Sequence, residues 1–384
     1  MFDLSIGRRG LLKTGLISAG VAALPGITLA AAPTERRFVF VIQRGAADGL
    51  ATIMPTGDPG FAPSRGQLAI PGGAKLDAMF TLHPAMVETA KLYAGKEALF
   101  LHAVASRYRD RSHFDGQNVL ETGGTQPYQL KDGWLNRFLA LLPKSEAEAI
   151  AVSTTIPAAL RGRVEVTSYA PSALPQAPDD LLVRVSAMYA SDPQLHGLWG
   201  QAMATRAMTG DLSDATGRNA AATGALAARL LSGPSARIAM VETGGWDTHA
   251  QQQGRMAAQL RGLDAMLLAL KTGLGPHWAN TLVLVATEFG RTVAVNGTGG
   301  TDHGTGAAAM LLGGRVAGGR VLADWPGLGQ ANLFEGRDLK PTLSLDTLIA
   351  AALAQHYGLD PARVRTALFP DEIGTRFDGT LVRA

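Results

Sequence analysis

The stretch "RIAMVETGGWDTHAQQQ", residues 237–253, decides how the chain is read. Its apolar start, 237–242, is a near-continuous run rather than an alternating one. Such runs belong to strands covered on both faces. The run stops at a double glycine, Gly244-Gly245, and delivers Asp247 and His249 just beyond it. Two residues apart in an extended loop, these side chains point the same way. The stretch therefore predicts a buried strand whose carboxyl end carries a carboxylate and an imidazole. A helix N-cap role for Asp247 or Thr248 is the plainer reading.

The pattern repeats along the chain. "RFVFVIQ" (37–43), "ALFLHAVA" (98–105), "AIAVST" (149–154), "TLVLVATE" (281–288) and "AAAMLLGG" (307–314) read as further buried strands. Helical patterns alternate with them at 84–95, 133–143, 254–275 and 345–359. Strands alternating with helices predict an α/β fold, a mostly parallel sheet sandwiched by helices. Residues 158–235 break the alternation and are expected to form a helical insertion or cap. Glycines at 313–328 predict a β-hairpin after the last core strand.

In open α/β sheets ligands bind at the carboxyl ends of strands, and polar residues gather there. After 37–43 comes "RGAADGL" with Asp48. After 98–105 comes "SRYRDRSHFDGQ" with Ser112, His113 and Asp115. Asp247 and His249 follow 237–242, and Glu288 ends 281–288. The glycine-rich "NGTGGTDHGTG" (296–306) brings Asp302 and His303. One such residue is noise, since a lone histidine is usually structural and Asp48 fits an Asp-Gly turn. Five segments converging on one edge argue for a cation between carboxylates that would otherwise repel. Asp, Glu and His ligands without cysteine favour one or two divalent ions of Zn, Mn or Fe, with Mg or Ca second.

Ser112 precedes a helical run and is either an N-cap or a nucleophile. Arg109 and Arg111 beside it, with Arg291, suit the oxygens of an anionic substrate. Arg291 is also the expected partner of a buried Glu288. His196, His277 and His356 fall in helical stretches and read as structural, while His83 and His102 fit either reading.

Composition narrows the class. The 384 residues are 46% hydrophobic and 17% charged, with 46 glycines and no cysteine. Disulfides, thiolate metal sites and a cysteine nucleophile are excluded. The first 32 residues, with Arg8-Arg9 before a short apolar run and an Ala-rich exit, read as a twin-arginine signal peptide. Its removal leaves 32 basic and 31 acidic residues, a formal charge of +1. No nucleic-acid partner is expected at that charge. The expected location is periplasmic or secreted, with export in the folded state and membrane contact only during export. Residues 33–384 are expected to form one domain. A protein partner is compatible with this composition.

The order Asp48, Ser112, Asp247, Glu288, His303 on successive strand ends resembles the alkaline phosphatase superfamily. Together with the twin-arginine start, "RGAADGL", "RSHFDGQ", "GGWDTH", "TEFGRT", "GTDHGTG" and "GGRVAGGRV" resemble the exported domain-of-unknown-function 1501 family, over nearly the whole chain. The resemblance implies an alkaline phosphatase-like fold. It places Asp48 as first metal ligand, Ser112 as nucleophile, Asp247 at the second metal's ligand set, Glu288 in an aspartate's place and His303 as last histidine. The chain departs at two points. Gln251 stands where an Asp-x-x-x-His pattern would put histidine, and Phe289 stands where Asp-His would. One metal subsite is therefore altered. The Cys/Ser-x-Pro-x-Arg pattern of sulfatases is absent around Ser112. Two functions follow as expectations. One is an exported metal-dependent hydrolase acting on a small anionic phosphate or sulfate ester. The other is a catalytically degenerate periplasmic binding or assembly protein on the same scaffold.

Overall fold

A computed structural model describes residues 35–143, 148–170, 179–193, 195–200, 203, 219–233, 236–371 and 377–383. The expected signal peptide lies outside the described residues, as does part of the 158–235 segment. Residues 35–384 form one compact unit. Among the described residues no helix is long and apolar enough to cross a membrane.

The main sheet has nine strands. In chain order they are β1 (Arg37–Gln43), β2 (Ala98–Ala105), β3 (Ala149–Val152), β4 (Thr167–Ser168), β5 (Ile238–Thr243), β6 (Thr281–Ala286), β7 (Ala307–Leu312), β8 (Arg320–Leu322) and β9 (Leu343–Ser344). Their spatial order is β8-β2-β7-β6-β1-β5-β3-β4, with β9 also paired to β2. Central β1 lies parallel to β5, Phe38 opposite Ile238, and parallel to β6, Phe38 opposite Leu282.

The unbroken apolar character of β1 has a direct cause, because its two faces feed two cores. Phe38, Phe40 and Ile42 pack with α3 (Trp134–Leu139), α6 (Leu345–Tyr357) and α7 (Pro361–Leu368). Val39 and Val41 pack on the other face with α1 (Val87–Ala94), α4 (Ala220–Ser232) and α5 (Gln252–Leu274). Each leucine so buried contributes about 1.5–3 kcal/mol. Helix α2 (His113–Thr122) leaves the end of β2 and starts at the carboxyl edge.

Three differences from the sequence reading bear on the site. Strand β7 runs antiparallel to both β2 and β6. It therefore begins at the edge where its neighbours end, and this is why His303, which precedes a strand, shares that edge with residues that follow one. The expected hairpin over 313–328 does not form. Strand β7 is already paired on both sides, so the chain crosses β2 and pairs β8 parallel to its far side, Arg320 opposite Leu99. Within 158–235, α4 buries Leu226, Leu230 and Leu231 in the sheet-covering layer, and Thr167–Ser168 extends the sheet.

Candidate functional site

Asp247 is set by the turn after β5. Gly245 takes a φ of +84°, a left-handed conformation that suits glycine. Trp246 is buried and donates from Nε1 to Thr243 Oγ1 at 3.0 Å, pinning the turn to its own strand. The turn after β1 packs on the same backbone: a Cβ on Gly45 would lie 2.6 Å from the Asp247 nitrogen. Behind the carboxylate, buried Arg291 donates from Nη1 to Asp247 Oδ1 at 2.8 Å.

Three imidazoles meet this carboxylate. His249 Nε2 is 3.0 Å from Asp247 Oδ1, and His303 Nε2 is 3.3 Å from the same oxygen. The two Nε2 atoms stand 3.0 Å apart. His113 Nε2 lies 3.6 Å from Asp247 Oδ2. One ligand atom each from His113, Asp247 and His303 falls within 4.8 Å of the others. Ligands around a tetrahedral ion with bonds of ~2.0–2.1 Å lie roughly 3.3 Å apart, so this spacing suits a single small cation.

The far nitrogen of each ring is held by oxygen. His113 Nδ1 pairs with Glu288 Oε1 at 2.9 Å, His249 Nδ1 with Asp302 Oδ1 at 3.2 Å, and His303 Nδ1 with the Arg111 carbonyl at 2.9 Å. Such partners fix the tautomer and leave Nε2 as a lone-pair donor, the arrangement found around protein-bound metals. His113 Nε2 is buried and has no hydrogen-bond partner. An orphaned buried imidazole nitrogen facing a carboxylate fits the donor set of a metal ligand.

Electrostatics agree. Burial opposes charge on Asp247, but the hydrogen bond and charge of Arg291 hold its pKa below the usual carboxylate value. Glu288 is buried more deeply, and His113, Gln117 and the Gly45 N–H hold it low as well. The hydrogen bond to Glu288 raises the His113 pKa, whereas burial lowers that of His303. The carboxylates are thus held ionised and His303 toward its neutral form, the forms that bind a cation, whereas the raised His113 pKa favours the charged ring, which must lose its proton to ligate.

Several expected residues hold other posts. Asp48 stands outside the group. Its buried carboxylate accepts from Arg65 and Gln252, and its Oδ1 caps the short helix Gly49–Thr52 through the Ala51 N–H. A guanidinium already fills the place an ion would take. Glu288 grips His113 and stands behind it, and it does not pair with Arg291, which goes to Asp247. Asp302 orients His249 and is largely exposed. Arg111 does not face the group with its guanidinium, which is bound by Asp338 and Glu335. Its contribution is a carbonyl, presented to His303 by a φ of +64° that a non-glycine residue rarely adopts. Arg109 turns its guanidinium onto the carbonyls of Ser106 and Tyr108.

Ser112 occupies the N-cap position of α2 without capping it: its side chain makes no cap hydrogen bond, and its N–H donates to Tyr108 Oη at 3.0 Å. Phe289 stacks on His113 with ring centres 5.1 Å apart.

Sequence reading missed Gln252, Thr301 and Arg65. Gln252 Oε1 accepts from Thr248 and Thr301, and Thr301 Oγ1 accepts from Arg291 Nε at 2.9 Å. A chain of hydrogen bonds therefore joins Asp48 to Asp247 through Gln252, Thr301 and Arg291. Gln252 sits in a run of three glutamines that carries no signal of its own, and Arg65 lies far from every strand end in sequence.

The chain belongs to the family described as Protein of unknown function (DUF1501), whose model matches residues 35–369. No curated protein matches it. Among solved structures it is similar to Ps i-CgsB in complex with k-i-k-neocarrahexaose, at 10% identity over 85% of this chain and 73% of that one, with a TM-score of 0.43. It is also similar to the C-terminal periplasmic domain of EcEptC from Escherichia coli in complex with Zn, at 10% identity over 94% and 96%, TM-score 0.39. A third is the alkaline phosphatase from the Antarctic bacterium TAB5, at 14% identity over 72% and 91%, TM-score 0.34. At TM-scores this low, no residue's role passes from them to this chain.

Proposed function

We propose that this protein is an exported metal-dependent hydrolase of phosphate or sulfate esters. The observation that carries this reading is the meeting of Asp247 with Nε2 of His113, His249 and His303, each ring backed by an oxygen on Nδ1. These four residues would hold the ion. Three imidazoles and one carboxylate favour Zn, Mn or Fe over Mg or Ca. Such an ion supplies Lewis acidity toward the ester oxygens and lowers the pKa of a nearby hydroxyl.

The chain's own part is positioning. Ser112 is the nucleophile: its Oγ is not engaged in a cap and stands one residue before a ligand. The uncapped first-turn N–H groups of α2 remain to meet an anionic oxygen. Export rests on the Arg8-Arg9 segment.

A second reading has its own support. The guanidinium of Arg111, expected on the substrate, is engaged within the fold by Glu335 and Asp338. That favours the binding or assembly protein. Metal analysis with assays of generic phosphate and sulfate esters separates the two. The hydrolase reading expects turnover that falls about a thousandfold or more in Ser112→Ala. Metal-loaded wild type and Ser112→Ala equally inactive on every ester would leave the binding protein.

A further inference from the structure

A polar cavity opens at the same sheet edge, beyond the end of β2. Its volume is about 260 Å³, and Ser106, Arg107, Arg109, Thr342 and Ser344 line it. It shares no residue with the His-Asp group. It is smaller than the ~300–1,000 Å³ of sites that enclose a whole drug-sized ligand, which fits one head group.

Its chemistry is that of a donor pocket. Among the described residues Arg109 makes no ion pair: its Nη1 donates to the Tyr108 carbonyl at 2.7 Å and to that of Ser106. Those bonds fix the guanidinium while leaving Nε and Nη2 unassigned. Burial lowers its pKa, with the charge of Asp346 offsetting this in part. A desolvated cation so placed gains from an anion. The hydroxyls point to the same ligand. Ser106 Oγ accepts from the Tyr108 N–H at 3.3 Å, and Ser344 Oγ from the Thr347 N–H at 3.2 Å. Each keeps its own O–H proton to donate. No acidic side chain lines the cavity.

We infer that this cavity binds a sulfate or phosphate group, and that it seats the second anionic group of a bis-anionic ester whose first group reacts at Ser112. Arg109 and Ser112 are three residues apart, so their Cα atoms lie within about 11 Å. That keeps the two residues within reach of one small molecule. The anion site stands by itself, whereas its use by a substrate rests on the hydrolase reading.

Calorimetric titration of the full chain with inorganic sulfate, and separately with phosphate, tests it in the presence of chelator. Wild type and Asp247→Asn are expected to bind one anion with equal affinity. Arg109→Gln should weaken binding about tenfold or more and Arg109→Lys less, at unchanged melting temperature. Should Arg109→Gln melt early, Ser106→Ala reads the same cavity through a loss of a few-fold, on the order of one hydrogen bond. The better-bound anion names the source. Absence of anion binding, or binding lost in Asp247→Asn and kept in Arg109→Gln, overturns the site. With turnover in hand, Arg109→Gln should raise KM for a bis-phosphate ester and leave p-nitrophenyl phosphate unchanged. Equal effects on both overturn the substrate role. An inactive wild type defeats the hydrolase reading, and the titration still decides the cavity.

Discussion

Asp48 and Asp247 follow neighbouring parallel strands, β1 and β5, and both were expected to hold metal. Their surroundings differ. Asp48 is 1% exposed and is met by a guanidinium that is itself fully buried, that of Arg65, which also donates to the carbonyls of Thr292 and Val293. The Asp247 side chain is 43% exposed and faces three imidazoles, with its guanidinium behind it. The same residue type on the same edge thus serves as an anchor in one place and as a candidate ligand in the other. What separates them is the donor that reaches each oxygen. A cation fixed by covalent attachment satisfies Asp48, and one face of Asp247 is left to imidazole nitrogens placed as candidate ligands.

The larger loss of stability is expected at Asp48. Arg65→Ala leaves a buried carboxylate without its partner, and denaturant unfolding should show a loss of about 3–5 kcal/mol. Metal affinity of the molecules that remain folded should change little. The converse is expected of Asp247→Asn. Its metal affinity should fall by more than the ~10–100-fold that an outer partner contributes, while unfolding shifts far less than in Arg65→Ala. Similar losses of stability in the two variants would contradict the distinction drawn here.

Acid acts on the interior. His102 and His356 are buried and neutral, each with Nε2 on a backbone carbonyl, and burial pushes their pKa values to about 4 and about 3. The unfolded chain, with histidine near ~6.5, takes up protons first as pH falls. Stability is therefore full above about pH 6.5 and declines on acidification, by about 2 kcal/mol for each histidine at pH 5. Unfolding midpoints measured from pH 7 to pH 5 check this with His356→Gln, in which the decline should be shallower.

The outer partners give the smallest and most discriminating effects. Glu288→Gln should weaken metal binding by about 10–100-fold, because His113 loses the carboxylate that orients it. Asp302→Ala should cost less, since its carboxylate is more than half exposed and water can replace it on His249. Equal effects from the two would mean that Glu288 does not act through His113.

Much of this was legible in the sequence, for physical reasons. Runs such as 37–43 and 281–288 announce strands because a strand covered on both faces must be apolar on both. That His303 and the Asp247-His249 pair share one edge was legible, from a glycine-rich loop in the first case and from two-residue spacing after a strand in the second. The direction of β7 was not legible, since an apolar run has the same composition either way up. The hairpin failed because pairing is decided by which edges are already filled. The arginines were misread for a related reason. Arg111 lies beside Ser112 in the chain, but its guanidinium reaches Glu335 and Asp338 of another segment, while that of Arg109 turns back on the carbonyls of Ser106 and Tyr108. Arg65 found Asp48 in the same way, and local pattern gives no warning of such partners.

The deciding quantity is the stoichiometry of divalent metal bound to the folded chain. Zinc or manganese titrated into chelator-treated protein should saturate at one ion for the His113, Asp247, His249 and His303 group. His303→Ala should abolish that binding while its unfolding curve stays that of the wild type. Wild-type protein that takes up no ion, or a His303→Ala variant that binds it unchanged, would contradict the claim that these residues form a metal centre.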